Sequence, residues 1–414
     1  DRSFPWLAVE LRVAARAAIF AFSRLVLGNR LVYAAAQVLI PSGARMPATN
    51  PLLQPVNLGG LALRNRVVMA PMTRNFSPGN VPGDAVVEYY RRRAEGGTGL
   101  IITEGTCVGH LAANGYPDVP YFHGEASLAG WRRVAEAVHA EGGKVAPQLW
   151  HVGGMRSAGG MPEGDVPGYT PSGMNVPGRV NRHAMTQQDI DDVVAAFARA
   201  AADARACGFD AVELHGAHGY LIDQFFWEGT NQRQDAYGGS LAKRSRFAVD
   251  VIQAVRRAVG AGFPIIFRFS QWKQQDFSAR LVDSPAELDE FLEPLTAAGV
   301  DIFHCSTRRF WEPEFAGSAL NLAGWTRKLT GKPTITVGSV GLNADFIPKP
   351  GETTFREAEP ASLDELLRRL DAGEFDLVAV GRALIANPDW VQHVAADNLA
   401  QLRAFRKEDL ASLA

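Results

Sequence analysis

Cysteine is nearly absent: Cys107, Cys207 and Cys305 are the only three thiols in 414 residues. None lies near another in sequence, and Cys107 and Cys305 sit inside apolar runs. This excludes a disulfide framework and any cysteine-based zinc or iron–sulfur spacing, and a reducing cytoplasm is the expected compartment. Charge of one sign is lacking too. A formal net charge of −2 gives no field to draw nucleic acid or an anionic membrane. Acids are scarce only at the start, where residues 1–45 hold six arginines against Asp1 and Glu10. The longest apolar run there, 31–40, is too short to span a bilayer, and the basic–apolar–small order of a secretory signal is missing. We expect 1–45 to be a dispensable basic extension ahead of Met46, with a basic membrane-surface helix as its rival reading. Low-complexity tracts and solenoid repeats are missing as well.

What the chain has is 47% hydrophobic and 21% charged residues, enough for a large core. Apolar runs of strand length recur at 67–71, 99–108, 144–151, 209–215, 264–270, 301–306, 333–338 and 376–381. Amphipathic stretches alternate with them at 84–95, 128–141, 186–207, 246–259, 284–298, 320–329 and 362–370. Thr186 and Ser284 carry N-cap signatures, and Gly96, Gly142, Gly208 and Gly299 close helices. Eight buried runs alternating with crossovers predict an α/β protein, a single (β/α)8 TIM barrel over residues 46–414. An open dinucleotide-binding sheet fits less well, because VVMAPMTR follows the first strand where G-x-G-x-x-G is needed. Residues 52–66 read as a hairpin turning on Gly59-Gly60 that caps the barrel's bottom.

In a barrel, function lies at the C-terminal ends of the strands. Those ends supply Thr73, Thr103 with Glu104, Gln148 with His151, His215 with His218, Arg268, His304 with Ser306, and the VGSVGL and VGRAL loops. The last two loops, with Gly338, Ser339, Gly381 and Arg382, suit a phosphate; simple loop glycine is the plain alternative. HGAHGYL, at 215–221, gathers His215, His218 and Tyr220, which fits proton transfer or one side of a metal site equally. Arg268 emerges from a buried strand and needs an anion, either a ligand or Glu213. Gln148 suits a flat heterocycle.

In this order and spacing, NRVVMAPMTR, TEGT, QLWHVG, HGAHGYL, DAYGGS and VGRAL resemble the Old Yellow Enzyme family of flavin oxidoreductases, over about residues 51–400. The resemblance implies an FMN-dependent NAD(P)H oxidoreductase that reduces the C=C bond of activated alkenes. Ala70, Pro71, Met72 and Thr73 would pack on the flavin edge. Gly105 would leave room beside the ring, and Gln148 would bind its pyrimidine portion. Arg268 would face N1 and O2, and Gly338, Ser339, Gly381 and Arg382 would hold the phosphate. His215 and His218 would polarise the substrate carbonyl while Tyr220 donates a proton, the hydride coming from flavin N5 and ultimately from NADPH or NADH.

Two departures stand out. FSQWKQQDF follows Arg268 where a short Leu-Ser-Pro-like turn is expected, so Trp272 or Lys273 reshapes the pocket. The sixth loop brings Arg308, Arg309, Phe310 and Trp311 to the mouth, as a lid, a cofactor-reading patch or plain surface. The expected partner is a small electron-poor alkene, without nucleic acid or membrane; a homo-oligomer stays open. No metal is expected, and a metal-dependent hydrolase built on His215, His218 and His304, or a non-catalytic flavin-binding protein, are the rival functions.

Overall fold

The computed structural model describes residues 50–157, 164–346 and 356–413, so the extension at 1–45 lies outside the described residues. A hairpin comes first, β1 (Val56–Leu58) against β2 (Leu61–Leu63). Gly59 and Gly60 make its turn with φ of 60° and 91°, the left-handed pair that a two-residue hairpin loop requires. Then follow β3 (Val67–Met69), α1 (Asp84–Glu95), β4 (Leu100–Cys107), α2 (Glu125–Ala140) and β5 (Lys144–Trp150). A short parallel pair, β6 (Tyr169–Thr170) and β7 (His183–Ala184), precedes α3 (Gln187–Ala206), β8 (Val212–His218), α4 (Leu221–Phe226) and α5 (Leu241–Arg244). The rest runs α6 (Arg246–Val259), β9 (Ile265–Lys273), α7 (Pro285–Ala298), β10 (Ile302–Ser306), α8 (Leu322–Thr330), β11 (Thr334–Val337), α9 (Asp364–Asp371), β12 (Leu377–Val380), α10 (Arg382–Ala386) and α11 (Trp390–Ala395).

Eight strands close into a parallel barrel in the order β3-β4-β5-β8-β9-β10-β11-β12 and back to β3, as the eight-unit pattern predicts. Local chemistry explains the helix ends. Thr186 and Asp189 form a reciprocal capping box at the start of α3, and Ser284 Oγ accepts from Glu287 N at α7. Gly299 ends α7 in the left-handed conformation.

Two apolar clusters build the core. One lies between helices and barrel; the other fills the barrel itself, where Val68, Leu100, Ala146, Ala211, Ile266, Ile302, Ile335 and Leu377 point inward. Leu61 and Leu63 of the hairpin join that inner cluster, so the hairpin plugs the closed end and leaves the mouth as the open one. Among the described residues, no helix is long and apolar enough to cross a membrane.

Candidate active site

The mouth contains a cavity of about 690 Å³, a size suited to small-molecule and cofactor sites. Ala70, Pro71, Met72, Thr73, Gln148, His215, His218, Tyr220, Arg268, Gly338, Ser339, Gly381 and Arg382 all line it. These residues lie up to 312 positions apart, and closure of the barrel brings them together.

Strand alternation sets the layer beneath. Two residues beyond inward-facing Ala146, Ala211, Ile266 and Ile302 stand Gln148, Glu213, Arg268 and His304. Glu213 is fully buried and spends both oxygens locally: Oε1 accepts from Gln148 Nε2 at 2.8 Å, and Oε2 lies 2.6 Å from His304 Nδ1. Arg268 is therefore not paired with Glu213. It makes one long contact, 3.4 Å to Ser306 Oγ, and its Nε has no hydrogen-bond partner. Burial lowers its pKa, an effect that the nearby Glu213 charge opposes. A buried guanidinium left so poorly satisfied is what an absent anionic or electron-rich group would complete.

His215 and His218 lie within β8 rather than on a turn after it, because the register with β9 slips between Gly216 and His218. This bulge aims both rings the same way, with centroids 5.1 Å apart. Burial first, and the Arg268 charge second, hold both imidazoles well below their ordinary pKa, so both are neutral. His218 Nε2 is 2.7 Å from Ser306 Oγ. The Tyr220 ring lies 5.1 Å from His215 and 4.8 Å from Trp150. Its hydroxyl accepts from Gln274 Nε2 at 3.0 Å and is 3.5 Å from Tyr116 OH. Burial raises the phenol well above its usual range, so it keeps its proton.

Other expectations change. Gly105 does not face the cavity: a Cβ there would lie 2.5 Å from Trp150 Cε3, so the space it leaves is filled by Trp150. His151 is turned away, with Nε2 3.0 Å from His110 Nδ1. Arg382 borders the cavity, but its guanidinium donates to the carbonyls of Ala344, Asp345 and Arg356. His304 sits under the mouth beside Glu213, and no cluster of three or more potential metal ligands occurs among the described residues. Of the two departures, Trp272 lines the cavity and stacks on His218 at 4.4 Å, whereas Lys273 is buried against Asp223. Arg308 reaches the cavity; Arg309 is taken by Glu312 and Asp345.

Sequence reading missed Tyr116, Trp150, Gln274 and Phe346 as lining residues. Trp150 was within reach, since period-two alternation from Gln148 selects residue 150 and not 151. The others belong to loops, where no period exists to find them.

A model of the NADH:flavin oxidoreductase / NADH oxidase family matches residues 51–349. The flavin oxidoreductase hxnT of Emericella nidulans is 44% identical over 362 residues, 82% of this chain and 89% of that protein. The 12-oxophytodienoate reductase 1 of Oryza sativa subsp. japonica is 34% identical over 355 residues, 84% of this chain and 87% of that protein. Among solved structures, morphinone reductase in complex with tetrahydroNAD aligns with a TM-score of 0.72 at 30% identity, covering 87% of this chain and 93% of that one.

Proposed function

Because the chain belongs to the NADH:flavin oxidoreductase / NADH oxidase family, the Old Yellow Enzyme family of FMN-dependent oxidoreductases, we propose that it reduces the C=C bond of α,β-unsaturated carbonyl compounds. One observation carries this reading: His215, His218 and Tyr220, where burial favours uncharged imidazoles and phenol, share one cavity with an Arg268 whose Nε has no partner.

The cavity fits FMN. Ala70, Pro71, Met72 and Thr73 form a largely apolar edge, and Gln148, with one amide hydrogen committed to Glu213, still has its carbonyl oxygen for the pyrimidine portion. Arg268 gains the electron-rich partner that it lacks. Gly338, Ser339 and Gly381 offer main-chain amides to the phosphate, and Arg382 adds positive charge without a free fork. Gly105 has no part in this set. When bound, FMN would supply the hydride chemistry that links a reduced nicotinamide to the β-carbon of the alkene.

The remaining work belongs to the chain. His215 and His218 donate hydrogen bonds to the substrate carbonyl, and they can do so as neutral rings. They stabilise the charge that grows on that oxygen, as oxyanion donors do. Tyr220 delivers its proton to the α-carbon. Gln274 occupies the acceptor side of the phenol oxygen and so leaves the O–H free to turn elsewhere.

The test is anaerobic. Purified protein should be yellow and release FMN on denaturation. NADPH or NADH should bleach the flavin band, and cyclohexenone should restore it. A yellow protein that neither nicotinamide reduces is a non-catalytic flavin binder; one that is bleached but not reoxidised by enones has another acceptor.

A further inference from the structure

Lys273 does not line the cavity, although it pairs with His218 across β8 and β9; it is fully buried, with Nζ 2.6 Å from Asp223 Oδ1 and neither side chain exposed. Removing two charges from water is costly, and a short apolar turn at this place would avoid it. What the pair holds is the turn that carries two of the three proposed catalytic groups. Asp223 Oδ2 accepts from Gly219 N at 2.7 Å. On one side of Gly219 is His218, a non-glycine residue at φ 65°; on the other is Tyr220, which caps α4. Gly219 itself has φ 76°, and a Cβ there would fall 1.9 Å from Gln275 Oε1. Glycine adopts such a φ freely, but His218 keeps it only where its surroundings over-determine it.

Beside Gln224 Nε2, which donates to Gly219 O at 2.7 Å, those surroundings come from the FSQWKQQDF segment. Ser270 Oγ accepts from His218 N at 3.0 Å, Gln274 N donates to His218 O at 3.3 Å, and Gln275 Nε2 donates to Gly219 O at 2.8 Å. Lys273 is the one member of that set that contributes a charge.

We propose that Lys273 is a positioning residue for proton delivery: through its ion pair with Asp223 it clamps the Gly219 amide and thereby fixes His218 and Tyr220 toward the substrate. This rests on the reading of Tyr220 as the proton donor. Asp223 is buried, and burial pushes its carboxyl up while Lys273 pulls it down. Without the lysine it takes up a proton and becomes a weaker acceptor for Gly219 N–H.

Lys273→Met in the FMN-loaded protein tests this by rapid-reaction spectroscopy. Flavin reduction by NADPH should stay within about 2-fold of the unaltered protein. Reoxidation by cyclohexenone should slow by about 10-fold, since a misplacement of ~1 Å can cost on the order of 10²-fold. In a Tyr220→Phe background the same change should cost clearly less than 10-fold, because the part of the loss that runs through Tyr220 is already gone and only the His218 part remains. Equal slowing of both half-reactions, no slowing, or a full further 10-fold loss beside Tyr220→Phe would each overturn the proposal. Should Lys273→Met not fold, Lys273→Gln keeps a donor for Asp223 and should show a smaller loss, about 3-fold, confined to reoxidation. A crystal structure of either variant decides the clamp without turnover: an unchanged 218–220 turn refutes it. If the unaltered protein is itself not reoxidised by enones, the ene-reductase reading fails, and the structural arm still judges the clamp.

Discussion

At the closed end of the barrel Leu61, Leu63, Leu100, Ile266 and Ile302 pack against one another. Two residues further along β5, β8, β9 and β10 the same inward direction holds Gln148, Glu213, Arg268 and His304. The change from hydrocarbon to ionisable groups takes one strand repeat, about 7 Å. It also takes place on one side only, for β3, β11 and β12 continue inward with Ala70, Val337 and Ala379. The closed end gains stability from every group in it. The mouth gives some back, because Arg268 Nε and His215 Nδ1 are buried without partners. Proteins sacrifice stability in this way where a site must be ready for a ligand.

The largest effects should separate the two ends cleanly. Leu63→Ala opens a void among fully apolar neighbours and should lower unfolding free energy by about 2–5 kcal/mol, read by denaturant titration. Flavin reduction and alkene reduction in the folded fraction should not change. Tyr220→Phe should do the reverse: alkene reduction slows by roughly 10²-fold or more while stability and flavin reduction persist. If Leu63→Ala slowed either half-reaction tenfold, the two ends would be coupled rather than separate.

Arg268→Met sharpens the same contrast at one residue. Losing a charged hydrogen-bond donor should weaken FMN by roughly 10–100-fold, in line with about 1.5–3 kcal/mol for such bonds. The FMN-free protein should become more stable, because an incompletely paired buried cation has been replaced by an apolar chain. Fluorescence titration with FMN and thermal unfolding of the stripped protein measure both signs. A stripped variant less stable than the unaltered protein would show that Arg268 is satisfied by the fold alone.

Much of this is legible in the sequence. The helices at 84–95 and 246–259 have the bounds that periodicity and caps gave them, because those signals are local. The barrel followed from counting units. Strand ends were harder. β8 reaches His218 and β9 reaches Lys273, both past the predicted ends, because each is extended by pairing with the other across a bulge. FSQWKQQDF was visible as a departure, but that it grips HGAHGYL depends on contacts across about 50 positions, which no local pattern encodes. The surroundings of Gly105 and Arg382 were hidden for a related reason. A motif names a residue, whereas its neighbours decide whether the space beside a glycine or the fork of an arginine is still free.

The smallest effect concerns Glu104, a buried carboxylate beside the mouth that accepts from the loop after β3. It is 2% exposed, accepts from Arg74 N at 3.0 Å and Asn75 N at 3.4 Å, and burial pushes its pKa up to about 7. The unfolded chain holds this proton only below its ordinary value of 4.5. Between those two values the folded state binds more proton than the unfolded one, so stability is lost as pH rises through the window. The cost should be roughly 1 kcal/mol across the unit from pH 5.5 to 6.5. Glu104→Gln has no proton to lose and should flatten that part of the profile, while its amide oxygen still accepts from Arg74 N. Denaturation curves of both proteins at pH 5.5 and 6.5 make the comparison. A profile equally steep in Glu104→Gln would place the titrating group elsewhere. A flat profile in the unaltered protein would mean that the Arg74 and Asn75 amides offset the burial of this carboxylate, and that the mouth is less strained than its hydrogen bonding implies.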